Sequence, residues 1–151
     1  MSIEEKLKEL QIVLPEVQAA GNYLPAVRTG NLIFISGQLP KVEGKIAFKG
    51  RVGKDLNVES ARRAAKACVV NLIAVLKQAL GTLDNVKKIV RLTGYINTYP
   101  GFHDHPKVLD AASELLVEVF GEAGKHSRVA IGVVELPLGA SMEMEMIAEV
   151  K

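Results

Sequence analysis

The closing stretch Ser141-Met142-Glu143-Met144-Glu145-Met146 alternates a methionine with a polar residue at every step. A period of two marks a β-strand, whose successive side chains point to opposite faces of a sheet. Met142, Met144 and Met146 therefore share one face, and Ser141, Glu143, Glu145 and Glu149 the other, with Ile147 among them. The methionine face has to be covered by the rest of the chain. The carboxylate face has to meet water or another subunit.

Two helical patterns can supply the cover. Val58, Ala61, Ala65, Cys68, Leu72, Val75 and Ala79 recur at steps of three and four, which predicts a helix over 58–80 with one apolar stripe. Asn57 can cap its first turn, Glu59 suits its positive end, and Gly81 stops it. A second helix is expected from Pro106, which suits the first helical position, through Leu115 and Val119 to Gly121. A shorter amphipathic pattern over 3–12 carries Ile3, Leu7 and Leu10, and Pro15 ends it.

The remaining segments read as strands. Residues 26–36 predict a hairpin around Gly30-Asn31, with the apolar run Leu32–Ile35 expected to be buried on both faces. Residues 42–53, punctuated by three glycines, predict a surface hairpin or loop. Residues 89–97 predict a strand with Val90, Leu92 and Ile96 on one face and Arg91, Thr93, Tyr95 and Asn97 on the other. Residues 127–135 and 140–150 predict a final hairpin about the turn Leu136-Pro137-Leu138-Gly139. The order of elements implies an α+β fold, a sheet with both main helices on one face.

Composition narrows the classes of function. The chain has 151 residues, the size of one domain, and a net charge of +2 from 19 basic and 17 acidic residues. So small a charge, with no Trp and 5% aromatics, gives no footprint for nucleic acid or an anionic membrane. The charged amino terminus Met1–Lys6 lacks the apolar core of a signal peptide, no apolar run approaches ~18 residues, and the expected location is the cytoplasm. A single cysteine, Cys68, lies on a helical stripe and reads as an inert packed side chain.

Few residues suggest chemistry. His103-Asp104-His105 falls short of the three or four ligands a zinc site needs, and reads as a polar loop in which Asp104 caps the Pro106 helix. Ser36 lacks the preceding glycine of a nucleophile elbow and reads as a turn residue. Arg128 opens an otherwise apolar strand. Periodicity alone reads it as an arginine snorkelling to water, while its guanidinium fork could also grip a carboxylate through two hydrogen bonds. In the expected hairpin Arg128 and Glu143 are offset by four residues, roughly 13 Å along the strand. If they share a site, two different chains most simply supply them.

The segment from Ser127-Arg128 to Ile147, with Glu135-Leu136-Pro137 and Glu143-x-Glu145, closely resembles the closing signature of the RidA/YjgF family. Gly30-Asn31-Leu32-Ile33-Phe34-Ile35-Ser36-Gly37-Gln38-Leu39-Pro40 and the preceding Asn22-Tyr23 resemble its early strand and turn. The likeness covers residues 20–150, and residues 1–20 look like a helical extension of a single domain over 1–151, as in the longer, chorismate-mutase-like branch. The resemblance implies a chorismate-mutase-like mixed sheet assembling as a trimeric barrel, with clefts between neighbouring subunits. It further implies a metal-free, cofactor-free deaminase that hydrolyses 2-imino or enamine acids to 2-oxo acids and ammonia. A homotrimer that only binds or senses 2-oxo acids is the alternative. By position, Arg128 would clamp the substrate carboxylate and Glu143 would activate water, with Tyr23, Ser36 and Gly37 lining the cleft. Ala130 stands where many such deaminases carry cysteine. Asp110 stands where asparagine often contacts ligand, and a carboxylate there is expected to repel an anionic substrate. The family also carries an older ribonuclease label, which no His pair, aromatic platform or basic stripe here supports.

Overall fold

The computed structural model describes residues 1–151. In chain order it contains α1 (Ile3–Glu9), β1 (Ala26–Thr29), β2 (Leu32–Gln38), β3 (Lys41–Val42), β4 (Lys45–Ile46), α2 (Val58–Leu80), β5 (Val86–Asn97), α3 (His105–Phe120), β6 (Ser127–Val133) and β7 (Met142–Val150). It is a mixed α+β fold. Five strands form one sheet in the order β1-β2-β7-β5-β6, and β3 and β4 pair separately as a small ribbon.

The final pair of strands departs from expectation. β6 and β7 are consecutive in sequence but do not pair, because β5 lies between them. β5 runs parallel to β6 and antiparallel to β7. The physical reason is the connection through α3: parallel neighbours need a crossover, and a helix between two strands supplies one. Pro137–Gly139 is a 3-10 turn, with Leu138 at φ 59°, inside a longer connection rather than a tight hairpin. β2 and β5 are likewise parallel, both pairing antiparallel with β7. Two crossovers of one hand, stepping in one direction, place both helices on the same face.

That face holds the core. Met142, Met144 and Met146 are buried with Ile33, Leu92 and Ile96 of the neighbouring strands and Leu72 and Leu116 of the helices. α2 spans the predicted residues: the Asn57 side chain accepts from the Ser60 amide, and Gly81 at φ 78° ends the helix. Asp104 occupies the capping position of α3 but makes no capping hydrogen bond, so the second cap is absent. Cys68 is buried within the core. α1 ends at Glu9 with Leu10 as its cap, and Gln11 turns to φ 59°, ahead of Pro15.

Two strand assignments are corrected. In β2, Ile33 and Ile35 are buried while Leu32 and Phe34 are 37% and 42% exposed, so only one face of that apolar run is covered. In β5, a register shift between Ile89 and Arg91 turns Ile89 into the core in place of Val90, which is only half-buried. Asn97, assigned to the outer face, is also buried, as is Ser141. The outer face of the sheet therefore displays Val27, Phe34, Ile131 and Ile147 beside the carboxylates. A contiguous apolar patch on a sheet face marks a candidate interaction surface. No helix is long and apolar enough to cross a membrane.

Candidate active site

Glu143 sits at the rim of a groove of about 720 Å³ that also touches Tyr23, Gly37, Lys41, Asn71 and Leu138. Its carboxyl is held above the usual glutamate range, first by burial and then by repulsion from Glu145. No lysine or arginine forms an ion pair with it. Gly37 makes this placement possible: a Cβ there would lie 2.9 Å from the Glu143 carboxyl carbon. Tyr23 is half exposed on the same groove. Ser36 belongs to the neighbouring depression with Phe34, Arg91 and Glu145, and its hydroxyl already donates to the Leu24 carbonyl at 2.7 Å. The structure thus brings Tyr23, Gly37 and Glu143 together and engages Ser36 beside them.

Arg128 lies elsewhere. Its partner across the sheet is Leu92, and Leu92 faces Met146, so Arg128 points to the helix-covered side at the β6 edge. There Nη1 donates to Asp110 Oδ1 at 2.9 Å and to Ser113 Oγ at 3.1 Å, both on α3, and Nη2 approaches the Pro106 carbonyl at 3.5 Å. Arg128 does not snorkel freely; it is pinned along a helix with its side chain 22% exposed. Asp110, whose carboxylate is expected to repel an anionic substrate, is the ion-pair partner of Arg128. Ala130 faces Gly94 on the same side.

Glu143 is opposite Tyr95, and Tyr95 is opposite Ile131, all on the uncovered face. The rows of Arg128 and Glu143 are three residues apart on β5, and their strands are two positions apart. That corresponds to roughly 14 Å between their backbones, with side chains on opposite faces. The offset expected from a β6–β7 hairpin rested on a pairing that does not exist. Within one chain the two residues still do not meet.

Several relevant residues had no signal in the sequence. Tyr95 donates its hydroxyl to Glu145 at 3.0 Å, and its own acidity is weakened by burial and by that hydrogen bond. Ser113 and His126 join the surroundings of Arg128, with Ser113 Oγ 2.9 Å from His126 Nε2. Only the strand pairing and the placing of α3 over β6 bring these groups into contact. No three His, Cys, Asp or Glu side chains converge on a point where they could hold a metal ion.

Comparison with known proteins agrees with this architecture. Residues 4–150 match the family described as "YjgF/chorismate_mutase-like, putative endoribonuclease". The chain is 38% identical to Protein TCP17 of Trypanosoma cruzi over 149 residues, covering 97% of this chain and 93% of that protein. A crystal structure from Shewanella oneidensis MR-1 superposes with a TM-score of 0.97 at 40% identity, covering 99% of this chain and 100% of the other. The protein Atu1372 of Agrobacterium tumefaciens gives 0.92 at 44% identity, over 99% and 92%. A match over nearly the whole length, in sequence and in shape, places this chain in the YjgF/chorismate-mutase-like family.

Proposed function

We propose that the protein hydrolyses reactive 2-imino or enamine acids to 2-oxo acids and ammonia, in clefts between the subunits of a homotrimer. Arg128 of one subunit grips the substrate carboxylate. Glu143 of the next takes a proton from the attacking water, whose oxygen bonds to the imine carbon. The same carboxyl passes that proton to nitrogen, giving a carbinolamine. It then takes the new hydroxyl's proton as the carbonyl forms and delivers it to nitrogen as the carbon–nitrogen bond breaks and ammonia leaves. An imine is already electrophilic, so orientation and modest proton transfer suffice, and the reaction needs no metal or other cofactor.

The observation that carries this reading is Glu143: a partly desolvated carboxyl, free of cationic partners and held above its ordinary range. A carboxyl with a raised pKa is better suited than an ordinary glutamate to accept a proton and then return it. The exposed apolar side chains around it suit an interface that would complete the cleft.

A second reading is reversible capture of 2-oxo acids without turnover, which needs the same Arg128. One experiment separates the two. 2-Iminopropanoate or 2-iminobutanoate is generated in situ by an amino-acid oxidase and its disappearance followed. Acceleration by the wild type, lost in Arg128→Ala and in Glu143→Gln, supports the deaminase. Saturable 2-oxo acid binding without acceleration supports the sensor.

A further inference from the structure

The hydrogen-bond chain behind Arg128 has a definite polarity. His126 Nδ1 is 2.6 Å from the Gly124 carbonyl oxygen, which can only accept, so Nδ1 carries a proton. Nε2 of the neutral ring is then an acceptor, and it is 2.9 Å from Ser113 Oγ. The serine hydroxyl donates to it. That orientation turns the serine lone pairs outward, and one of them receives Arg128 Nη1 at 3.1 Å.

The second hydrogen of Nη1 goes to Asp110 at 2.9 Å. Both Nη1 hydrogens are thus committed to α3. Nε makes no hydrogen bond with the protein, and Nη2 has only the 3.5 Å approach to Pro106. Nε and Nη2 form the side edge of a guanidinium, the edge that matches the two oxygens of a carboxylate.

We propose that Ser113 and His126 are positioning residues: together with Asp110 they lock the back of the guanidinium and hold its Nε/Nη2 edge open for a substrate carboxylate. This rests on the assignment of Arg128 as the clamp. It also gives Asp110 a role compatible with anionic substrate, because its charge is directed at the opposite side of the guanidinium from the open edge. Pre-orientation matters because a flexible arginine would have to be ordered at the moment of binding. The effect belongs to capture of the carboxylate and not to proton transfer at Glu143.

The test uses the full chain and two readouts. Long-range proton–nitrogen NMR of the histidines should show His126 as the Nδ1–H tautomer, and a neutral Nε2–H tautomer overturns the proposal. Ser113→Ala should raise KM for the imine, and Kd for 2-oxobutanoate, by about tenfold, as expected for one lost hydrogen bond to a charged group, while kcat stays within about twofold. Ser113→Thr, which keeps the hydroxyl, should restore both values. His126→Phe should reproduce the KM defect. Unchanged KM and Kd in Ser113→Ala, alongside a severe defect in Arg128→Ala, overturns the positioning role and leaves the clamp intact. An Arg128→Ala variant with wild-type KM and Kd overturns the clamp itself and the positioning role with it. A wild type without turnover removes the deaminase reading, and the Kd series then decides the positioning role alone.

Discussion

Arg128 and Glu143 lie on opposite faces of one sheet, two strands apart, the first against α3 and the second on the uncovered side. A small imino acid cannot touch both within one chain. If these residues act on one substrate, closure of the site is a property of the assembly, in which the β6 edge of one copy meets the open face of another.

Replacing Arg128 by lysine keeps the charge and removes the fork. A lysine ammonium cannot hold Asp110 and Ser113 while also offering two parallel donors to a carboxylate. We expect kcat/KM for 2-iminobutanoate to fall by about a hundredfold or more, equivalent to losing a bidentate charged contact. Steady-state kinetics on oxidase-generated imine measures this, and near-wild-type turnover would refute the clamp.

Glu143 also leaves a signature in stability. Its folded value is raised, so the native state binds a proton more readily than the unfolded chain. The cost of ionising it is present above that raised value and disappears as pH falls through it to the ordinary glutamate range. Glu143→Gln should therefore raise Tm at neutral pH, with the gain shrinking to nothing under acid conditions. Thermal melts of both proteins across pH check the direction; an equal difference at every pH would contradict it.

The neighbouring Glu145 is one source of that shift, through like-charge repulsion. Removing its charge in Glu145→Gln should lower the apparent pKa of Glu143 and move the acidic limb of the pH–rate profile to lower pH. Tyr95→Phe, which takes away the hydrogen bond to Glu145, leaves that charge in place and should not reproduce the shift. The pH dependence of kcat/KM distinguishes the two variants.

Two glycines should fail in different ways when given a methyl group. At Gly94 a Cβ would lie 2.6 Å from Leu109 Cδ1 in the packed core, so Gly94→Ala should cost about 1–3 kcal/mol in chemical denaturation. At Gly37 the obstacle is the movable Glu143 carboxyl. Gly37→Ala should displace that group and depress turnover severely, with stability within about 0.5 kcal/mol of the wild type.

The parts of this fold legible in the sequence are those set by local periodicity. The alternation of Met142, Met144 and Met146 with glutamates, the stripe of α2 between Asn57 and Gly81, and the turn at Gly30, with φ 56°, all depend on near neighbours. Strand order does not. Leu136-Pro137-Leu138-Gly139 has the residues of a tight turn, yet β6 pairs with β5 because α3 makes a parallel crossover. The strand–helix–strand order of β5, α3 and β6 carried that information. The apolar residues Leu32 and Phe34 read as buried because hydrophobicity reports that a side chain avoids water, not which chain covers it. At the candidate site, Glu143, Gly37 and Tyr23 line one groove, an arrangement that depends on long-range pairing. The partners of Arg128 on α3 and beside His126 emerge only when helix and edge strand are packed together.

The division of the site between two chains is tested most directly by mixing two inactive proteins. Arg128→Ala and Glu143→Gln are each unfolded, combined in equal amounts and refolded together. In a ring where each site takes its arginine from one subunit and its glutamate from the next, random assembly regenerates about one intact site in four. We predict imine hydrolysis at about a quarter of the wild-type rate from the mixture, with neither variant active alone. A mixture as inactive as its components, under conditions where co-assembly is demonstrated by native mass spectrometry, would contradict a site shared between subunits.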